Sequence, residues 1–129
     1  MPDLAAKKKR PLWFNLSPLN LPLPGLVSIL HRVSGALLFL GLGWFLYLLD
    51  LSLSSEAGFA AFKAQIGHPL VKLVLLGFLW AYLHHFCAGI RYLFLDIDKG
   101  VGLAAARASS YVVLVVSLGL TALLGTRLW

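Results

Sequence analysis

Three runs without a formal charge constrain this chain more than any other feature. They are the 17 residues Val33 to Leu49, the 18 residues Leu73 to Ile90 and the 19 residues Ala108 to Thr126. Each is bounded by charged residues: Arg32 and Asp50, Lys72 and Arg91, Arg107 and Arg127. A bilayer core needs roughly 20 mainly apolar residues in a helix, with a range of about 17–25. Each run meets that once its flanking side chains snorkel to the interface. Lipid offers no hydrogen bonds to the backbone, so single segments cross as helices. The pattern predicts an all-α integral membrane protein with three transmembrane helices, over about 25–53, 69–95 and 103–128. These form a transmembrane domain over 25–129, preceded by a cytoplasmic segment over 1–24.

Local signals set the ends. Pro22 and Pro24 oppose an earlier start to the first helix, and Ser54, Ser55 and Gly58 break it. Glu56 to Ile66 reads as a short amphipathic piece on the membrane surface. Pro69 suits a first helical turn. Asp96, Asp98, Lys99 and Gly100 end the second long helix. Composition agrees: 60% of residues are hydrophobic and only 12% charged, against about 25% charged in a soluble domain.

The charge distribution gives direction. The net charge is +6, but the basic residues stand at the ends of apolar runs and not on a polar face. That argues against a nucleic-acid partner. Eight basic residues (Lys7, Lys8, Lys9, Arg10, Arg32, Arg91, Lys99 and Arg107) fall on one side, and three (Lys63, Lys72 and Arg127) on the other. The positive-inside rule puts the N-terminus in the cytoplasm and the C-terminus outside. Trp13 and Trp129 suit interfacial belts, whereas Trp80 belongs inside. The prolines after the basic cluster (Pro11, Pro18, Pro22 and Pro24) do not read as a cleavable signal peptide. Cys87 stands alone and can form no internal disulfide. Small residues within the helices (Gly35, Gly41, Gly43, Gly77, Ala88, Gly89 and Gly119) permit close helix approach, within the chain or to partner helices.

Polar residues at membrane depth are candidate functional sites. Ser28, His31 and Arg32 share one face at the cytoplasmic start of the first helix, with Ser34 nearby. A hydroxyl, an imidazole and a permanent cation there suit the polar head of a ligand. His84 and His85 lie deep in the second long helix and point about 100° apart, so only one can face a given neighbour. His85, Gly89, Tyr92 and Asp96 form one stripe. His84, Ala88 and Arg91 form another. Neutral imidazole is a common axial ligand of haem iron, and Gly89 leaves room beside His85 for a flat macrocycle. Taken alone, these histidines also suit plain core packing.

Two signatures resemble a known family. Arg10-Pro11, Pro22 and Pro24, then Ser28-Ile-Leu-His-Arg-Val-Ser-Gly35, look like the start of the cytochrome b membrane-anchor subunit of succinate dehydrogenase. His85-Phe-Cys-Ala-Gly89-Ile-Arg91-Tyr92-Leu-Phe-Leu-Asp96 resembles its second signature. The resemblance runs from Arg10 into the third helix. It implies a helical bundle formed with a second three-helix anchor subunit, the pair holding one haem b between them. His85 would be one axial ligand of the iron, and the other would come from the partner. Ser28 and Arg32 match residues of the family's quinone site; His31 and Arg32 match positions near the haem propionates. His84 falls outside the motif and is left to packing or support. Tyr92 stands where the family carries histidine, which keeps a hydrogen-bond donor but loses a titratable group.

The implied function is that of a membrane anchor of succinate:quinone oxidoreductase, passing electrons from succinate to ubiquinone at the bacterial inner membrane, with a periplasmic C-terminus. Flavin and iron–sulfur clusters would sit on partner subunits, a flavoprotein and an iron–sulfur protein, because one cysteine cannot hold a cluster. The other partner is membrane lipid. An equivalent anchor of a quinol:fumarate reductase, a haem-free anchor and a structural membrane subunit stay open as alternatives.

Overall fold

A computed structural model describes residues 21–129. The expectations for the basic cluster Lys7 to Arg10, for Pro11, Trp13 and Pro18, and for residues 1–20 of the N-terminal segment lie outside the described residues. Four helices follow in order: α1 (Leu23–Ser54), α2 (Glu56–Gly67), α3 (Pro69–Asp96) and α4 (Leu103–Leu128). The described residues contain no strand. α1, α3 and α4 are long and apolar enough to cross a membrane.

α1 starts two residues before the expected Gly25, at Leu23, with Pro22 as its N-cap. Pro24 therefore lies inside the first turn. Backbone N–H groups there have no intrahelical acceptor, so a residue without one costs nothing. α2 extends one residue past the expected Ile66. Its N-cap Ser55 accepts a hydrogen bond from the Gly58 amide at 2.9 Å. Gln65 Nε2 donates to Tyr47 Oη at 3.1 Å and ties α2 to α1. α3 opens on Pro69, with His68 Nδ1 accepting from the Leu70 amide at 3.2 Å. It closes where Asp98 enters the left-handed region (φ 57°). The Asp98 amide then donates to Leu95 O at 3.0 Å and the Lys99 amide to Phe94 O at 2.9 Å, a Schellman-like end that satisfies free carbonyls.

The chain runs up through α1, down through α3 and up through α4. α3 packs on both other spans, and α1 meets α4 less extensively. The interior differs from a soluble core. It holds Val27, Leu48, Ala81, Ala88 and Val113 together with Ser34, His84, Arg91, Ser110, Ser117 and Thr121, while most large aliphatic and aromatic side chains face outward. Lipid tails are as apolar as leucine, so no hydrophobic force draws these helices together; close packing and hydrogen bonds do. The buried hydroxyls bond along their own helices. Ser110 donates to Ala106 O at 2.7 Å, Ser117 to Leu114 O at 3.2 Å and Thr121 to Ser117 O at 2.7 Å. Each is thereby satisfied without a partner helix.

The small residues divide accordingly. A Cβ on Gly41 would collide with Phe78, whereas Gly43, Gly77 and Gly119 meet open space within the chain. Ala88 packs against Val27 and Val113. Trp80 turns its indole Nε1 inward, where it has no partner, and Trp129 receives the Lys72 ammonium 5.4 Å above its ring.

Candidate functional site

The antiparallel pairing of α1 and α3 brings His31 and His85 together. Their rings stack with centroids 4.1 Å apart and planes 11° apart. His85 Nδ1 lies 3.0 Å from the His31 carbonyl oxygen and 3.2 Å from Ser34 Oγ. A carbonyl can only accept, so Nδ1 carries the proton and donates it. Ser34 Oγ also donates to the His31 carbonyl, at 2.9 Å. The His85 imidazole is thus held in one tautomer, with its lone pair on Nε2.

Among the described residues Nε2 of His85 has no hydrogen-bond partner, whereas both nitrogens of His84 are buried without one. His84 is 0% exposed. Its ring lies 5.2 Å from that of Trp80. The Val27 carbonyl is close to it but does not meet hydrogen-bond geometry. Among the described residues, nothing bonds the second ring nitrogen of His85, while its neighbour His84 is wholly enclosed.

Gly35 makes this approach possible. A Cβ there would stand 2.8 Å from His85 Cε1 and 3.3 Å from Nδ1, closer than side chains pack. At Gly89, the space expected to admit a macrocycle borders His31, whose Nε2 lies 3.8 Å from an added Cβ. Tyr92 completes the group with its ring 5.1 Å from that of His31, and its hydroxyl is buried without a partner.

Of the sequence candidates, His31, Ser34, His85 and Tyr92 converge. Ser28 and Arg32 lie on the adjoining face of α1, Ser28 half-buried and Arg32 exposed, and do not enter the network. Two parts of the arrangement are new: the His31 carbonyl as acceptor, and the contact of Gly35 with His85. The spacing of Ser28, His31 and Gly35 at three- and four-residue intervals was the available signal for a shared face.

The arrangement suits metal ligation. Ligating histidines commonly donate their second ring N–H to a carbonyl, which fixes the ring and raises its basicity. No group of three or more potential metal-binding side chains exists among the described residues. An imidazole fixed at one nitrogen and unbonded at the other among the described residues suits an axial position on a preformed macrocycle.

Comparison with known proteins gives the class. The family model described as succinate dehydrogenase/fumarate reductase transmembrane subunit matches residues 6–124. The chain is 34% identical over 122 residues to a succinate dehydrogenase cytochrome b556 subunit of Coxiella burnetii, covering 94% of this chain and 98% of that one. It is 34% identical over 116 residues to the protein of the same name from Rickettsia felis, covering 90% of each. It is 32% identical over 114 residues to that from Paracoccus denitrificans, covering 88% of each. The chain belongs to the family of succinate dehydrogenase/fumarate reductase transmembrane subunits.

Proposed function

We propose that this chain anchors a succinate:quinone oxidoreductase in the bacterial inner membrane and contributes half of a haem b site and part of a ubiquinone site. The observation that carries the proposal is the His85 imidazole, tied at Nδ1 to the His31 carbonyl and free at Nε2. His85 would hold the iron from one side, and a second three-helix anchor would supply the ligand on the other. When bound, such a haem supplies a one-electron carrier. His31 and Arg32 would lie near the haem propionates, with Arg32 supplying the positive charge that neutralises them. Tyr92 keeps a hydroxyl donor beside His31.

For the quinone, Ser28 would donate a hydrogen bond to a carbonyl oxygen. Arg32 would stabilise the negative charge that develops as the ring accepts electrons. The electrons would come from an iron–sulfur subunit docked on the cytoplasmic side, itself supplied by a flavoprotein that oxidises succinate. The basic excess at that end of the spans supports this orientation, with the N-terminus cytoplasmic and the C-terminus periplasmic.

The reduced-minus-oxidised optical spectrum of the purified complex tests the haem assignment. A b-type signal in stoichiometry with this chain is expected, and its absence would refute the assignment. The quinone assignment has its own test. Ser28→Ala removes one hydrogen bond, a loss of about 1.4 kcal/mol, so quinone reduction should fall about tenfold. The haem spectrum and succinate oxidation by an artificial acceptor should be unchanged. Full quinone reductase activity in Ser28→Ala would remove Ser28 from the site.

A further inference from the structure

The side of α3 turned away from His85 carries a cation that has no counter-ion among the described residues. Arg91 is only 7% exposed. Its Nε donates to Ser109 Oγ at 2.8 Å, and an Nη to the Ala106 carbonyl at 3.5 Å. Both acceptors are neutral, and a guanidinium has five N–H donors. No ion pair reaches Arg91 among the described residues. A desolvated charge near membrane depth is costly until an anion neutralises it.

Beside Arg91, a cleft of about 400 Å³ opens between α3 and α4, walled by Cys87, Ile90, Phe94 and Val112, with Lys99 also lining it. The turn that ends α3 brings Lys99 there, its backbone amide donating a hydrogen bond to Phe94 O at 2.9 Å. Asp96 and Asp98 are exposed in the same region, and neither lines the cleft. The cleft therefore joins two cations to a mainly apolar wall, at the end of the spans where the chain's positive charge concentrates.

We propose that this cleft binds an anionic phospholipid, its phosphate between Arg91 and Lys99 and one acyl chain along Ile90, Phe94 and Val112. Charge complementarity favours this occupant over a protein helix, since an apolar helix would leave Arg91 unpaired. Position favours it too. At 100° per residue, Ile90, Arg91 and Phe94 lie roughly 140–240° around α3 from His85. A chain that meets His85 Nε2 approaches from the other side. The site requires only that α3 and α4 span the membrane. Its failure would leave the haem assignment intact, and the reverse also holds.

The test uses the intact detergent-solubilised complex, stripped of lipid. It is then incubated with phosphatidylglycerol, with phosphatidylcholine of the same chains, or with inorganic phosphate, and retained molecules are counted by native mass spectrometry. Wild type should retain phosphatidylglycerol selectively. Lys99→Gln should bind it about fivefold more weakly, the effect of one basic side chain near an anionic headgroup. Arg91→Gln should lose it altogether; if that variant does not assemble, Lys99→Gln decides alone. Three results would overturn the proposal: equal retention of phosphatidylcholine, equal occupancy by free phosphate, or wild-type retention of phosphatidylglycerol in Lys99→Gln. Crosslinking of a photoreactive residue at position 112 to protein instead of lipid would do the same.

Discussion

Replacement of His85 by alanine is expected to abolish the b-type haem signal of the assembled complex, while replacement of His84 by alanine leaves it in place. The two residues are neighbours of identical chemistry, so the contrast isolates geometry. His85 has its Nδ1 proton committed to the His31 carbonyl at 3.0 Å and its Nε2 free. His84 has both nitrogens enclosed, and it points about 100° away around α3. It cannot swing into the ligand position without bringing a buried ring out through the helix interface. Losing an outer partner of a metal ligand already costs roughly 10–100-fold in affinity. Loss of the ligand itself should therefore lower haem occupancy by more than about 100-fold. Occupancy is read from the pyridine haemochrome of purified complex, normalised to this chain. A normal haem content in His85→Ala, or loss of haem in His84→Ala with His85 intact, would reverse the assignment.

That contrast also shows how far the sequence carries. The spans were legible because charge is so expensive in lipid that Arg32, Asp50, Lys72, Arg91, Arg107 and Arg127 mark the limits of what the bilayer tolerates. Helix ends differ from expectation by one or two residues, the largest shift being at Pro24, which a first turn accepts. The two stripes on α3 follow from helical periodicity alone, and the buried stripe of His84, Ala88 and Arg91 is the one that meets the bundle interior. What periodicity could not supply was partnership across helices. Nothing in the spacing of Ser28, His31 and Arg32 says that the His31 backbone carbonyl, and not its ring, receives the His85 proton. Nor does the sequence show that Arg91 bonds Ser109 and Ala106 and meets no anion among the described residues. Those facts depend on how α1 and α4 are rotated against α3, and that rotation is set by where small residues allow contact.

Gly35 is where that dependence is sharpest, and Gly35→Val is expected to separate the two histidine-bearing helices. A single Cβ would sit 2.8 Å from His85 Cε1, and valine adds two further methyl groups. The ring cannot simply rotate away, because Nδ1 is hydrogen-bonded to His31 O and lies near Ser34 Oγ, while His31 stacks on its face at 4.1 Å. Either the imidazole abandons those contacts or α1 moves back from α3. Overpacking of this kind typically costs about 1–3 kcal/mol. In a membrane bundle without a hydrophobic driving force, that is enough to weaken the pair substantially. Gly35→Ala should yield an assembled complex with shifted or broadened haem absorption and reduced haem content. Gly35→Val should yield little or no haem and less assembled complex, while any complex recovered still oxidises succinate with an artificial acceptor. The graded response distinguishes a steric wedge at the ligand from general misfolding, which would remove haem and succinate oxidation together. An assembled Gly35→Val complex with an unaltered haem spectrum would mean that α1 and α3 do not press His85 into place.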